Sequence, residues 1–237
     1  MKIAVVTGAS SGIGAEICKA LKARGWHVVG LSRSAAPEAD EHEPCDVADR
    51  AAIETAAERV RARHPEITLL VNNAGIPARN SYLDAEPELI ESVMRTNYLG
   101  SVWCLRALLP ALGPGSHLVN IVSVAGLVAV GPYSASKHAQ LAFSRSVAVE
   151  LAPRGVSVHT INPGFIETPG FPQRSRFGPI LGRLAPGPAF VAERVMGAIE
   201  HDRREIILPR WYRVPAWAQA LAPGTFARLQ GLRRKTS

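Results

Sequence analysis

The chain has 237 residues, 47% of them hydrophobic and 20% charged, and carries a net charge of +7. That length suffices for one domain with a full core, and the balance excludes a disordered or fibrous chain. Three scattered cysteines, Cys18, Cys45 and Cys104, exclude a disulfide framework and offer no zinc-binding spacing.

That cysteine usage fits a reducing, cytoplasmic setting. Lys2 is followed by only four apolar residues before Thr7-Gly8, so no secretory leader is expected. The longest apolar region, Leu118 to Val130, is shorter than a membrane span and is interrupted by Asn120, Ser123 and Gly126. The charge is unevenly placed. Residues 201–237 hold eight Lys/Arg against Asp202 and Glu205, which is +6 of the +7. The basic character belongs to the tail.

Ile3-Ala4-Val5-Val6 is an unbroken apolar run, as expected of a strand covered on both faces. Thr7-Gly8-Ala9-Ser10-Ser11-Gly12-Ile13-Gly14 follows, and then Ile13, Ile17, Ala20 and Leu21 recur at helical spacing. Strand, glycine turn and helix together predict a dinucleotide site. Glycine admits a pyrophosphate close to the backbone, and the helix N-terminus favours its charge. His27 to Leu31 reads as a second strand ending at Ser32-Arg33-Ser34. An acid near this strand end would hold a ribose 2′-hydroxyl. None occurs until Glu38, and Arg33 stands there instead, suited to a 2′-phosphate.

Cys45-Asp46-Val47 reads as a short third strand and its exit. A helix with the stripe Ile53, Ala56, Ala57 and Val60 follows, closed by Pro65. Ile67 to Val71 is a fourth strand, ending in Asn72-Asn73-Ala74-Gly75, where open parallel sheets bind ligands. One helix is expected from about Glu88 to Leu109, with Asn97 as the polar intruder on its apolar stripe. His117 to Val122 is a fifth strand with Ser123 at its end. The next helix begins at Tyr133 and runs to about Leu151, with Leu141, Ala148 and Leu151 as core contacts. Val156 to Ile161 is strand six, leading into Asn162-Pro163-Gly164-Phe165-Ile166-Glu167-Thr168-Pro169. From Pro163 to Pro188 the chain reads as a mobile lid over a pocket. Phe190 to Glu200 is helical and Glu205 to Leu208 is strand seven. The alternation predicts an α/β fold, a Rossmann-type doubly wound, seven-stranded parallel sheet flanked by helices. The tail, 209–237, places Trp211, Trp217, Leu221, Phe226, Leu229 and Leu232 among arginines. It would pack on the body or on a second subunit, or lie on a membrane surface.

Gly131-Pro132-Tyr133-Ser134-Ala135-Ser136-Lys137 puts a phenol and an ammonium one helical turn apart. A nearby cation lowers a phenol's pKa toward the range useful for proton transfer.

Thr7-Gly8-x-x-x-Gly12-x-Gly14, Asn72-Asn73-Ala74-Gly75, Asn97, Ser123, Tyr133-x-x-x-Lys137 and Pro163-Gly164, in this order, resemble the short-chain dehydrogenase/reductase family over residues 1 to about 208. The resemblance implies a single catalytic domain there, followed by the tail. It implies that Tyr133 moves the substrate proton, that Lys137 lowers its pKa and holds the nicotinamide ribose, that Ser123 binds the substrate oxygen, and that Asn97 orders a helix backbone and a water. Thr7, Gly8, Ser10, Ser11, Gly12, Ile13 and Gly14 would wrap the pyrophosphate. Asp46 and Val47 would flank the adenine, Asn73, Ala74 and Gly75 would line the adenosine ribose, and Pro163, Gly164, Ile166 and Thr168 would meet the nicotinamide amide. Arg33 matches the members that prefer NADP(H), with NAD(H) as the other candidate. Two departures stand out. Nine residues separate Ser123 from Tyr133, fewer than is usual, and the glycine turn lacks a basic residue.

The expected activity is interconversion of a carbonyl and an alcohol, with no metal. Phe165, Phe171 and Phe177 suggest an apolar substrate. The family is usually dimeric or tetrameric, and no nucleic-acid motif is present. The competing readings are a non-catalytic protein acting through its basic tail and a relative turned to dehydration or epimerisation.

Overall fold

The computed structural model describes residues 1–78, 81–129, 131–168, 186–225 and 228. Seven strands, β1 (Ile3–Thr7), β2 (His27–Ser32), β3 (Glu41–Pro44), β4 (Ile67–Asn72), β5 (Leu112–Ile121), β6 (Ser157–Pro163) and β7 (Glu205–Leu208), form one sheet in the order β3-β2-β1-β4-β5-β6-β7. Every pairing is parallel. The helices are α1 (Gly12–Lys22), α2 (Arg50–Arg63), α3 (Pro87–Met94), α4 (Gly100–Leu108), α5 (Gly131–Leu151), α6 (Pro188–Glu200) and α7 (Arg213–Leu221). The expected doubly wound sheet is present.

Alternation along β1 explains why the run is wholly apolar. Ile3 and Val5 join the core under α2, α4 and α5, whereas Ala4 and Val6 join the core under α1 and α6. A central strand with two buried faces has no solvent side on which to place a polar residue. The winding reverses between β1 and β4, so their carboxyl ends open a crevice there.

Two expectations from the sequence are corrected. The third strand is Glu41-His42-Glu43-Pro44 rather than Cys45-Asp46-Val47, which forms the exit. A polar run conceals an edge strand because its acids are neutralised by other elements. Glu41 accepts from His27 Nε2 at 2.7 Å, His64 Nε2 at 2.8 Å and Arg63 Nε at 2.9 Å. Glu43 takes Arg59 at 2.6 Å and Arg63 at 3.0 Å. The helix expected over 88–109 is interrupted by a π-turn, Arg95–Leu99, between α3 and α4. Asn97 sits in that turn, fully buried. Such bulges mark places where a helix is widened to aim one residue.

The expected lid lies largely outside the described residues, as do Pro169, Phe171, Phe177, Phe226, Leu229 and Leu232. Its described flanks are tied together by Glu167 N donating to Pro186 O at 3.1 Å.

Burial alone would raise the Glu41 carboxyl, but hydrogen bonds from His27, His64 and Arg63 outweigh it and hold the pKa at about 2, against an ordinary 4.5. A lowered folded pKa gives stability that is present above the ordinary value and lost as pH falls through the folded one. Glu41→Gln should therefore destabilise by roughly 1–3 kcal/mol at neutral pH. The difference from wild type should shrink as pH falls from about 4.5 toward about 2, as urea unfolding at several pH values would measure.

Candidate active site

At the β1/β4 crevice the two strand ends are clasped. Thr7 Oγ1 donates to Val71 O at 3.3 Å and accepts from Asn73 N at 2.9 Å and Ala74 N at 3.0 Å. The Asn73 amide donates back to Thr7 O at 2.9 Å and Gly8 O at 3.2 Å. Gly8 and Gly12 take φ of +65° and +57°, open to glycine and strained for other residues. A Cβ on Gly14 would stand 2.2 Å from Gly8 O. The turn thus folds tightly onto the start of α1. No acid occupies the first turn of α1, and Ser11 at its N-cap makes no side-chain cap bond. The positive end of that helix dipole is left to an incoming anion, a cradle that fits a pyrophosphate.

A cleft of about 1010 Å³ runs from this turn across the strand ends, at the upper end of the roughly 300–1,000 Å³ usual for small-molecule sites. Gly8, Ser10, Ser11, Gly12 and Ile13 line it. At the end beside β2 the wall is Arg33, Ser32, Ser34, Asp46 and Val47. Arg33 is largely exposed and lies 3.9 Å from Asp46. Asp46 also accepts from Ala48 N at 2.9 Å, which shapes the exit of β3. Asn73, Ala74 and Gly75 line the middle. Thr7, Gly14 and Asn97 stand behind the wall rather than on it.

At the other end Ser123, Tyr133 and Lys137 share the wall. Ser123 follows β5 and caps a 3-10 turn, Val124–Leu127, accepting from Ala125 N at 3.1 Å. That tight turn absorbs the short Ser123–Tyr133 spacing. It is pinned by Ser134, whose hydroxyl bonds Ala125 O at 2.7 Å and also Val128 O. The Ser123 hydroxyl also donates to Pro163 O at 3.4 Å. Burial pushes the Tyr133 phenol up to about 12, with the Ser123 hydroxyl opposing. Burial pushes Lys137 down to about 7. The ammonium donates to Ile121 O at 3.1 Å and Gln140 Oε1 at 2.7 Å, and stands 5.9 Å from the Tyr133 ring centre. The phenol's pKa is therefore raised, where the sequence led us to expect lowering: dehydration outweighs the opposing effect of Ser123, and Lys137 supplies no counterweight. Asn97 accepts from Ile76 N at 2.8 Å and donates to Ile76 O at 3.1 Å and Ser136 Oγ at 3.0 Å. It fixes the strand-four loop against the helix that carries Tyr133 and Lys137.

Pro163, Gly164, Phe165, Ile166 and Thr168 close the wall, together with Tyr212 from the tail. A Cβ on Gly164 would fall 2.2 Å from the Tyr212 ring, so glycine there admits the tail. Two site residues were not anticipated. Gln140 lies three residues beyond Lys137 on the same helix face, and a polar residue at that spacing is a signal that could have been read. It is fully buried, and its amide donates to Ser101 Oγ at 2.9 Å. Tyr212 gave no local signal, because its partner is 48 residues away in sequence.

Comparison with known proteins identifies the family. The family model for short chain dehydrogenases matches residues 2–176. Dehydrogenase/reductase SDR family member 7B of Bos taurus is 31% identical over 264 residues, covering 98% of this chain and 81% of the relative. The 3-oxoacyl-(acyl-carrier-protein) reductase FabG of Escherichia coli K12 is 38% identical over 182 residues, covering 70% and 74%. Among solved structures, a short-chain dehydrogenase from Streptomyces avermitilis superposes with a TM-score of 0.79 at 26% identity, covering 100% of this chain and 98% of that one. Another, from Burkholderia cenocepacia J2315 in complex with NADP, has a TM-score of 0.75 at 29% identity, covering 84% and 90%. This chain belongs to the short-chain dehydrogenase/reductase family, the NAD(P)-dependent oxidoreductases that act on CH–OH and C=O groups.

Proposed function

We propose that the cleft binds NADP(H) and interconverts an apolar carbonyl compound and its alcohol. The observation that carries this reading is that Ser123, Tyr133 and buried Lys137 share one wall, at the end of a cleft that begins in a glycine cradle. When bound, the dinucleotide supplies the hydride. The remaining work falls to side chains. Ser123 would hold the substrate oxygen and Tyr133 would give it a proton as charge develops there. Tyr133, like an ordinary phenol, is protonated at neutral pH, the form that carbonyl reduction requires, and burial moves it further that way. Lys137 would support the phenol and bind a ribose, and Asn97 would keep the helix and loop in register. Gly8, Gly12 and the start of α1 would take the pyrophosphate, backed by Thr7 and Gly14. Asn73, Ala74 and Gly75 would lie along the adenosine ribose, with Pro163, Gly164, Ile166 and Thr168 near the nicotinamide.

The preference for the phosphorylated cofactor rests on Arg33 at the end of β2. Among the described residues, Asp46 is the one acid lining the cleft, and it follows β3 rather than β2. The neighbour solved with NADP supports the same choice. An apolar substrate is supported by Phe165, Ile76 and Val128 in the wall, and by a relative named for reducing a 3-oxoacyl group.

Tyr133→Phe should lower kcat by about 10²–10⁴ and leave cofactor affinity nearly unchanged. Wild-type turnover in this variant would refute the mechanism. Fluorescence titration should give NADPH affinity at least ~10-fold tighter than NADH, a difference of about 1.4 kcal/mol. Arg33→Ser should remove that gap by weakening NADPH alone. Equal affinities in the wild type would return Arg33 to the role of a loop residue.

Lys137 supplies a pH test. Its folded pKa, about 7, lies below the ordinary 10.5. Between those values the unfolded chain binds the extra proton, so stability rises with pH across the window. Wild type should therefore gain on Lys137→Met as pH rises from about 7 toward 10. A gap that does not change with pH, measured by urea unfolding, would show that the ammonium is not dehydrated.

A further inference from the structure

Helix α7 is amphipathic in the opposite sense to the other helices. Trp211, in the 3-10 turn Arg210–Tyr212 before the helix, and Val214, Trp217 and Leu221 of the helix itself follow the helical spacing and form one stripe. They are 61%, 67%, 61% and 86% exposed. The face that packs inward holds small and polar groups instead. Ala216 is buried, and Gln219 Oε1 accepts from Ala129 N at 3.0 Å. The helix is thus anchored to the body, and its apolar stripe faces outward.

Charge selects the occupant of that stripe. After Glu205 no Asp or Glu occurs up to Ser237, while the same stretch holds Arg210, Arg213, Arg228, Arg233, Arg234 and Lys235. Arg210 and Arg228 are exposed. A second copy seated here by a two-fold axis would set these arginines against their equivalents, and residues 206–237 contribute no acid to offset them. An anionic lipid surface meets both features at once. Tryptophans settle at the headgroup boundary, leucine and valine enter the acyl region, and basic residues meet the lipid phosphates. We propose that the exposed face of α7 seats the protein on an anionic phospholipid surface.

The seating has a consequence for the cleft. Trp211 stacks on Tyr212 at 3.7 Å, and Tyr212 packs edge-on against half-exposed Phe165 at 6.0 Å. Both Tyr212 and Phe165 line the cleft. On the reading of the cleft as a carbonyl site, an apolar substrate dissolved in the lipid would enter beside these two rings.

The test is co-sedimentation of the full chain with vesicles of phosphatidylcholine alone or mixed with phosphatidylglycerol, at low and high salt. It reads binding without reference to activity, so its failure leaves the proposed chemistry untouched. Wild type should bind the anionic vesicles, release in high salt, and bind neutral vesicles at least ~10-fold more weakly. Trp217→Gln/Leu221→Gln changes only exposed side chains and should keep the wild-type melting curve, yet lose binding about tenfold. The proposal is overturned if anionic vesicles leave the wild type in solution, or if the double variant binds as well as wild type. It is equally overturned if the double variant dissolves a wild-type dimer seen by sedimentation velocity, which would make a second copy the occupant.

Discussion

The site depends on how closely β1 and β4 approach at their carboxyl ends. Thr7 and Asn73 exchange backbone and side-chain hydrogen bonds across the point where the winding reverses. That clasp fixes the glycine turn in place. With Gly8 held against Ala74, and Gly14 held against Gly8, the start of α1 can only point across the strand ends. Any side chain larger than hydrogen at these positions would force the turn and the strand-four loop apart. The cleft is what this approach leaves open beside it.

The catalytic end is built on a different principle, the burial of polar groups against neutral partners. Lys137 is met by a carbonyl and an amide, and among the described residues no carboxylate bonds it. Gln140 passes the contact to Ser101, and Ser101 donates to Asn97 O at 3.2 Å. Asn97 in turn holds Ile76 and Ser136. A dehydrated ammonium and a dehydrated phenol have pKa values moved in opposite directions, both toward the uncharged form. The network holds Lys137 in place through neutral partners alone.

Packing of the tail links these parts to the outside. Tyr212 lies over Gly164 and completes the wall, and the neighbouring residues turn their apolar side outward. The rim of the cleft and the exposed stripe are consecutive in sequence. The division between a catalytic body and an accessory tail, natural on composition, is therefore crossed at Tyr212.

Local patterns in the chain were enough to read every strand except β3, most of the helices and about half of the residues in the cleft wall. Each of those signals is local: a doubly buried strand must be wholly apolar, a tight turn must carry glycine, and a helix must repeat its apolar face. Tertiary structure decided the rest. Glu41 to Pro44 became an edge strand because histidines and arginines from β2 and α2 neutralise its acids, and no local pattern records that partnership. Asn97 broke a continuous helix because its amide captured the backbone of Ile76. Tyr133 was raised rather than lowered because its pKa follows from burial, which many distant residues create together. Long-range contacts supply these outcomes, and a chain read residue by residue does not contain the distances that produce them.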